Sequence, residues 1–268
     1  MSNGRSVADR QTFKGAVAVV TGATRGIGRA TAVELAGGGA DVVVVGRSTL
    51  DRPDQISPGT LEEVVEQLEA AGTNALAIQA DLTDPVQVNA VIEQTLAWRG
   101  RCDLLVHNAG YTSNGPIIEI PARRWQLGFQ MQVTTPLQLC QGFVPGMLER
   151  GYGRVVCVGS SAAIGLRPGL SLYATSKLAA EKMTEFLDVE LGGRGVSFND
   201  FRIDKLVPTD AYKLSIAKFP DGFSTDESIP VEECAELIAV MLEQPATWSG
   251  QTIGIDELTA IRDASSAR

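Results

Sequence analysis

Short apolar runs alternate with longer amphipathic stretches along almost the whole chain. The runs fall at 16–20 (Ala-Val-Ala-Val-Val), 42–45 (four valines), 75–78, 104–106, 155–158, 196–201 and 252–255. Each has the length and composition of a strand buried on both faces. Between them the pattern predicts helices over 26–37, 60–71, 85–98, 122–149, 172–192 and 231–243. Helix starts are marked. Thr60-Leu-Glu-Glu63 reads as a capping box, and Asp84-Pro85 sets a cap residue before a first-turn proline. Strands alternating with helices predict a doubly wound parallel α/β sheet of about seven strands, helices on both faces. Ligands of such sheets bind beyond the carboxyl ends of the strands. Asp81, Asn108, Ser160 and Ile203 each follow a strand or end one, so one crevice would gather them.

Two motifs carry chemistry. The first strand runs into Thr21-Gly-Ala-Thr-Arg-Gly-Ile-Gly28, with glycines at 22, 26 and 28, and a helix follows. Glycine is needed where a strand turns sharply into a helix and where backbone approaches a phosphate. The free N–H groups and positive dipole end of that helix suit a pyrophosphate. The second motif is Tyr173-Ala-Thr-Ser-Lys177, with Ser160 thirteen residues upstream. On a helix, positions four apart share a face, so the ammonium of Lys177 lies beside the phenol of Tyr173. A free phenol has a pKa of about 10. A fixed cation favours the phenolate and yields a proton donor usable near neutral pH. Taken alone, such a pair is more often a packed ring and a solvated charge.

Together the motifs resemble the short-chain dehydrogenase/reductase family in its shorter, single-domain form, from about Lys14 to Leu258. The resemblance rests on Thr-Gly-x-x-x-Gly-Ile-Gly at 21–28, Asp81-Leu82, Asn108-Ala-Gly110, Ser160, and Tyr-x-x-x-Lys at 173–177. It implies a Rossmann-like fold, with residues 1–14 a disordered start and 15–268 one domain. It implies that Tyr173 donates or accepts the proton and that Lys177 assists it and holds the nicotinamide ribose. Ser160 would hydrogen-bond the substrate oxygen. It further implies that Gly22, Thr24, Arg25, Gly26, Ile27, Gly28, Asp81, Leu82, Asn108, Ala109, Gly110 and Ile203 contact the cofactor. Arg47 and Ser48 join them at the end of the second strand.

NAD-using relatives carry an acid at that strand end. Here Gly46 and Arg47 stand there, so no carboxylate repels a 2′-phosphate. Arg47 and Arg25 can reach one with charge-assisted bonds. The expected cofactor is NADP(H), with NAD(H) possible.

Four positions depart from the family pattern. His107, the chain's one histidine, replaces an Asn before Asn-Ala-Gly and is expected to be a hydrogen-bonded scaffold residue. Gln132, seven residues after Trp125, replaces the Asn that holds a water in the proton relay. Ile203-Asp204 replaces a Pro-Gly pair, which sets a carboxylate near the pyrophosphate unless Arg202 or Lys205 compensates. Asp256-Glu-Leu258 replaces an Asp-Gly-Gly. These departures motivate an alternative, a nucleotide-binding scaffold or sensor that has lost hydride transfer. A third reading is a non-redox step such as dehydration by the same side chains.

Composition changes the picture only at the edges. A 268-residue chain of this class is expected to be one soluble domain. No run approaches the roughly 20 apolar residues of a membrane span. Residues 1–14 lack the apolar stretch of a signal peptide. The four cysteines show no pairing or metal spacing, which points to free thiols, a cytoplasmic location and no metal site. A net charge of −9 argues against nucleic acid and anionic membranes. The expected partner is a small, largely apolar carbonyl or alcohol, covered by a lid at 208–227 in which Tyr212, Leu214, Ile216 and Phe219 are apolar. The loop 47–59 would clamp the adenosine side. By the resemblance, the helices at 122–149 and 172–192 pair copies into a homodimer or homotetramer.

Overall fold

The structure, a computed structural model, describes residues 11–54, 58–210, 212–213 and 227–266. Leu214, Ile216 and Phe219 of the expected lid lie outside them. Seven parallel strands form one sheet in the order β3-β2-β1-β4-β5-β6-β7. They are β1 (Val17–Thr21), β2 (Asp41–Gly46), β3 (Ala75–Gln79), β4 (Leu104–His107), β5 (Gly153–Ser160), β6 (Val196–Ile203) and β7 (Thr252–Ile253). The order reverses direction between β1 and β4, which opens a crevice there.

Alternate residues of each strand enter different cores, as a period of two requires. Ala18, Val20, Val42 and Val44 face one side. They meet α1 (Gly26–Gly37), α2 (Leu61–Ala70), α7 (Val231–Glu243) and α8 (Ile255–Ser266) through Leu35, Leu68, Leu237 and Leu258. Val19, Val43 and Val45 face the other side. There Val91 of α3 (Pro85–Arg99), Phe143 of α5 (Thr135–Arg150) and Leu187 of α6 (Ser171–Leu191) cover them. Burial on both faces explains why these strands read as unbroken valine runs.

The helix ends follow the local chemistry. Thr60 and Glu63 form the capping box in full, and Asp84 caps α3 through the Val86 N–H. The helix expected over 122–149 is instead two, α4 (Ala122–Phe129) and α5, joined by a π-helical turn at Gln130–Thr134. Pro136 is the physical reason. It has no N–H to give the carbonyl four residues back, that of Gln132, so the ladder shifts register there.

Two further expectations are corrected. The run 252–255 is a strand only at Thr252–Ile253, and Ile255 opens α8, which the apolar pattern did not reveal. Residues 11–14 are not a loose start. Phe13 is buried in the core, and its N–H donates to the Gly38 carbonyl at 2.8 Å. Residues 1–10 lie outside the described part.

Candidate active site

The crevice at the carboxyl ends of the strands is a cleft of about 1260 Å³. That exceeds the roughly 300–1,000 Å³ of an ordinary small-molecule pocket and leaves room for a dinucleotide and a substrate. It collects Gly22, Thr24, Arg25, Gly26 and Ile27 from the glycine turn, and Arg47 and Ser48 after β2. Asp81 and Leu82 come from the end of β3, and Asn108, Ala109 and Gly110 from the end of β4. Ser160, Tyr173, Lys177 and Ile203 complete the expected set. Of the site residues expected from the sequence, Gly28 and Gln132 do not line the cleft.

The glycine turn is held by its neighbours. Asn108 Nδ2 donates to the Thr21 and Gly22 carbonyls at 2.9 and 3.2 Å. Thr21 Oγ1 accepts from the Asn108 and Ala109 N–H groups at 3.1 and 3.0 Å. The amide of Asn108 is thus spent on bracing the turn. Gly22 has φ +67°, open to glycine with least strain. A Cβ on Gly28 would stand 2.3 Å from the Gly22 carbonyl oxygen, so this glycine serves turn-to-helix packing. The first turn of α1 holds no acid, and Arg25 supplies no side-chain cap. A helix N-terminus left in this state suits a diphosphate.

At the adenosine side, a Cβ on Gly46 would lie 2.7 Å from Thr24 Cγ2, so no larger side chain sits there without displacing Thr24. Arg47 is exposed on the cleft wall. Arg25 is engaged by Asp54 of the 47–59 loop at 2.9 Å. Asp81 closes its own turn, its Oδ1 accepting from the N–H and hydroxyl of Thr83 at 3.0 and 2.7 Å.

At the reacting side, Tyr173 and Lys177 lie one turn apart on α6, with Lys177 Nζ 5.8 Å from the centre of the phenol ring. Lys177 is buried and donates to the Val158 carbonyl at 2.6 Å. Ser160 ends β5, and its Oγ accepts from the Ala162 N–H at 3.2 Å. Gln132, buried in the π turn, accepts from the hydroxyl of Ser176 through Oε1, while its Nε2 has no hydrogen-bond partner. His107 is buried at the end of β4, with Nε2 3.6 Å from Cys140 Sγ. Burial, then the charge of Lys177, holds its ionisation down at about 3, so it is a neutral scaffold residue.

Asp204 lines the cleft, as do Lys205 and Asp256. Its Oδ1 accepts from the Ile255 N–H at 3.2 Å and so caps α8. Arg202 pairs with Glu181, and Lys205 with Glu227 and Asp256, each at 2.7 Å. The departures Ile203-Asp204 and Asp256-Glu-Leu258 thus belong together: one caps the helix that the other begins.

Sequence reasoning missed the outer wall of the cleft, formed by Tyr111, Arg123, Arg124 and Arg167. Arg124 Nη1 donates to the Tyr111 hydroxyl at 2.8 Å. No motif flags these residues. Arg123 and Arg124 come from α4, Arg167 from the loop before α6, and Tyr111 directly follows Gly110. Among the described residues no group of His, Cys, Asp and Glu is placed to hold a metal, and no helix is long and apolar enough to cross a membrane.

This geometry agrees with the comparisons. The chain matches the short chain dehydrogenase model over residues 16–202 and belongs to the short-chain dehydrogenase/reductase family. It is 33% identical to a cyclohexanol dehydrogenase of Rhodococcus sp. (strain TK6) over 71% of this chain and 74% of that one. It is 31% identical to an NAD-dependent oxidoreductase of Mycobacterium tuberculosis (strain H37Rv), covering 92% and 96%. Among solved structures, L-sorbose reductase from Gluconobacter frateurii, complexed with NADPH and L-sorbose, superposes with a TM-score of 0.80. That pair is 27% identical, over 91% of this chain and 96% of the other. The protein is therefore an oxidoreductase of this family with a nicotinamide cofactor site.

Proposed function

We propose that the protein interconverts a carbonyl and an alcohol using NADP(H). The observation that carries this reading is the convergence of Ser160, Tyr173 and Lys177 at one end of a cleft whose other end is the braced glycine turn. When bound, the nicotinamide supplies or accepts the hydride. Tyr173 gives its phenolic proton to the substrate oxygen in reduction and takes it back in oxidation. Lys177 sets its charge beside the phenol ring of Tyr173. Ser160 hydrogen-bonds the same substrate oxygen as charge develops on it. Gln132 fixes Ser176, the residue before Lys177, from below, and its Nε2 is the donor left for a proton-relay water.

The preference for the 2′-phosphate rests on Gly46, which leaves no acid at the strand end, and on Arg47, exposed on the cleft wall. Arg25, already paired with Asp54, contributes less than the sequence implied. Leu127, Met131, Leu170 and Val207 line the reacting end, which suits an apolar group next to the carbonyl. The outer arginines favour substrates with a negative distal end over fully neutral ones. On α6, Leu178, Phe186 and Val189 are exposed on one stripe, which supports pairing of copies through this helix.

Titration with NADPH and NADH, followed by a panel of neutral ketones and keto acids, tests the reading. Tighter binding of NADPH with turnover of a ketone is expected. Binding without turnover of any of them would favour the scaffold alternative. Tighter binding of NADH would overturn the role given to Arg47.

A further inference from the structure

The reacting end of the cleft rests on a layer of buried charge that the mechanism above leaves unused. Lys177, Glu181 and Thr184 recur on α6 at spacings of four and three, so they share one face. That face lies against β5 and β6. Lys177 holds the Val158 carbonyl. Glu181 takes two bonds from Arg202, at 3.0 and 2.7 Å. Thr184 Oγ1 stands 3.4 Å from Cys157 Sγ. Asp200 sits within this layer. Strand register pairs it with Cys157, and its Oδ1 would be 1.9 Å from a Cβ on Gly159. Its carboxylate therefore fills the space that Gly159 leaves open between Val158 and Ser160. It is fully buried, and neither oxygen has a hydrogen-bond partner.

A carboxylate with no hydrogen bond is costly to bury as an anion, so it is held as the neutral acid. Burial, then the charge of Glu181, pushes Asp200 up to about 8, against the pull of Lys177 and Arg202. Of those two cations Arg202 is paired with Glu181, and Lys177 is the one that reaches the reacting side of the cleft.

Resting on the reading that Tyr173 and Lys177 transfer the proton, we propose that Asp200 is a positioning residue that makes this transfer depend on pH through Lys177. While Asp200 keeps its proton, the charge of Lys177 acts undiminished on Tyr173. When Asp200 loses that proton to solvent, its negative charge opposes the lysine, and the phenolate is less favoured. Other charged and titratable groups also face the layer. From β4, His107 is neutral down to about 3, and from β5 the Cys157 thiol is pushed up to about 12 by burial. Glu181 of α6 and Arg202 of β6 are held as an ion pair, and Asp204 at the end of β6 is held by the α8 cap.

The test is the pH dependence of kcat/KM for alcohol oxidation by the holoenzyme, wild type against Asp200→Asn. The two should coincide near pH 6–7. Above about pH 8 the variant should run ahead by roughly three- to tenfold, a shift of half to one pH unit in the rising limb. Superimposable profiles would reduce Asp200 to a structural residue and overturn the proposal. Infrared titration of the protein keeps it testable if the variant folds poorly or no substrate is found. The wild type should lose a protonated carboxyl band between about pH 7 and 9. In Lys177→Met, which removes the cation that lowers Asp200, that band should persist to higher pH. A band already gone by pH 6, or one indifferent to Lys177, refutes the coupling. Failure to turn over any alcohol would defeat the oxidoreductase reading at this site separately, and the infrared result would still decide the coupling.

Discussion

The two ends of the cleft are built by opposite means. In the proposed reading, backbone does most of the binding at the cofactor end. Glycines admit close approach, a helix N-terminus offers N–H groups, and Asn108 and Thr21 brace the turn without entering the chemistry. In the same reading side chains do the work at the reacting end, above a buried layer contributed by β4, β5, β6, α6 and the π turn. The glycine turn is a local motif braced from the end of β4 by Asn108, whereas the layer under the reacting end is assembled from several elements. Damage to the first should abolish binding and stability together. Damage to the second should alter rate and pH dependence while cofactor binding survives.

Each half of that contrast can be broken separately. The largest expected effect is in Tyr173→Phe, which removes the proposed proton donor and should cut turnover at least about a hundredfold. NADPH affinity, measured by nicotinamide fluorescence, should stay near wild type. Next is Gly28→Ala. Its Cβ would stand 2.3 Å from the Gly22 carbonyl oxygen and 2.4 Å from Asn108 Nδ2. Overpacking of this kind costs about 1–3 kcal/mol, and Tm should fall by several degrees with loss of NADPH binding. Unchanged cofactor affinity in this variant would contradict a backbone-built site.

Asp200→Asn sharpens the other half through stability. An ordinary Asp has a pKa of about 3.9 when unfolded, whereas Asp200 keeps its proton to about 8 in the fold. Between those values the folded state binds more protons, so this residue makes stability fall as pH rises. The variant should therefore gain Tm relative to wild type at pH 8 and show little gain at pH 5. An equal difference at both pH values would show that Asp200 is ionised in the fold. The smallest effect is in Arg47→Ala, expected to weaken NADPH binding by about tenfold or more and leave NADH binding unchanged.

What was legible follows the same division. The strands, the capped helices and the glycine turn rest on short-range patterns: valine runs, Thr60 with Glu63, and glycines at 22, 26 and 28. Tyr173, Lys177 and Ser160 were legible because spacing along one helix and one strand end fixes them. That Asp204 also caps α8 was hidden, because its partner, Ile255, lies 51 residues away. Asp200 drew no notice, since a lone Asp in an apolar run gives no sign of what α6 brings over it. The break between α4 and α5 was foreshadowed by Pro136, whose missing N–H the helical periodicity masked. The outer arginines depend on loops whose course periodicity does not encode.

The central claim is that this cleft moves a hydride between cofactor and carbonyl carbon. The most direct measurement is reduction of a responsive ketone with NADPH carrying deuterium at both C4 positions of the nicotinamide, with the product analysed by mass spectrometry. Deuterium on the carbinol carbon is the predicted result. Product that carries no deuterium, or that forms without nicotinamide, would contradict it.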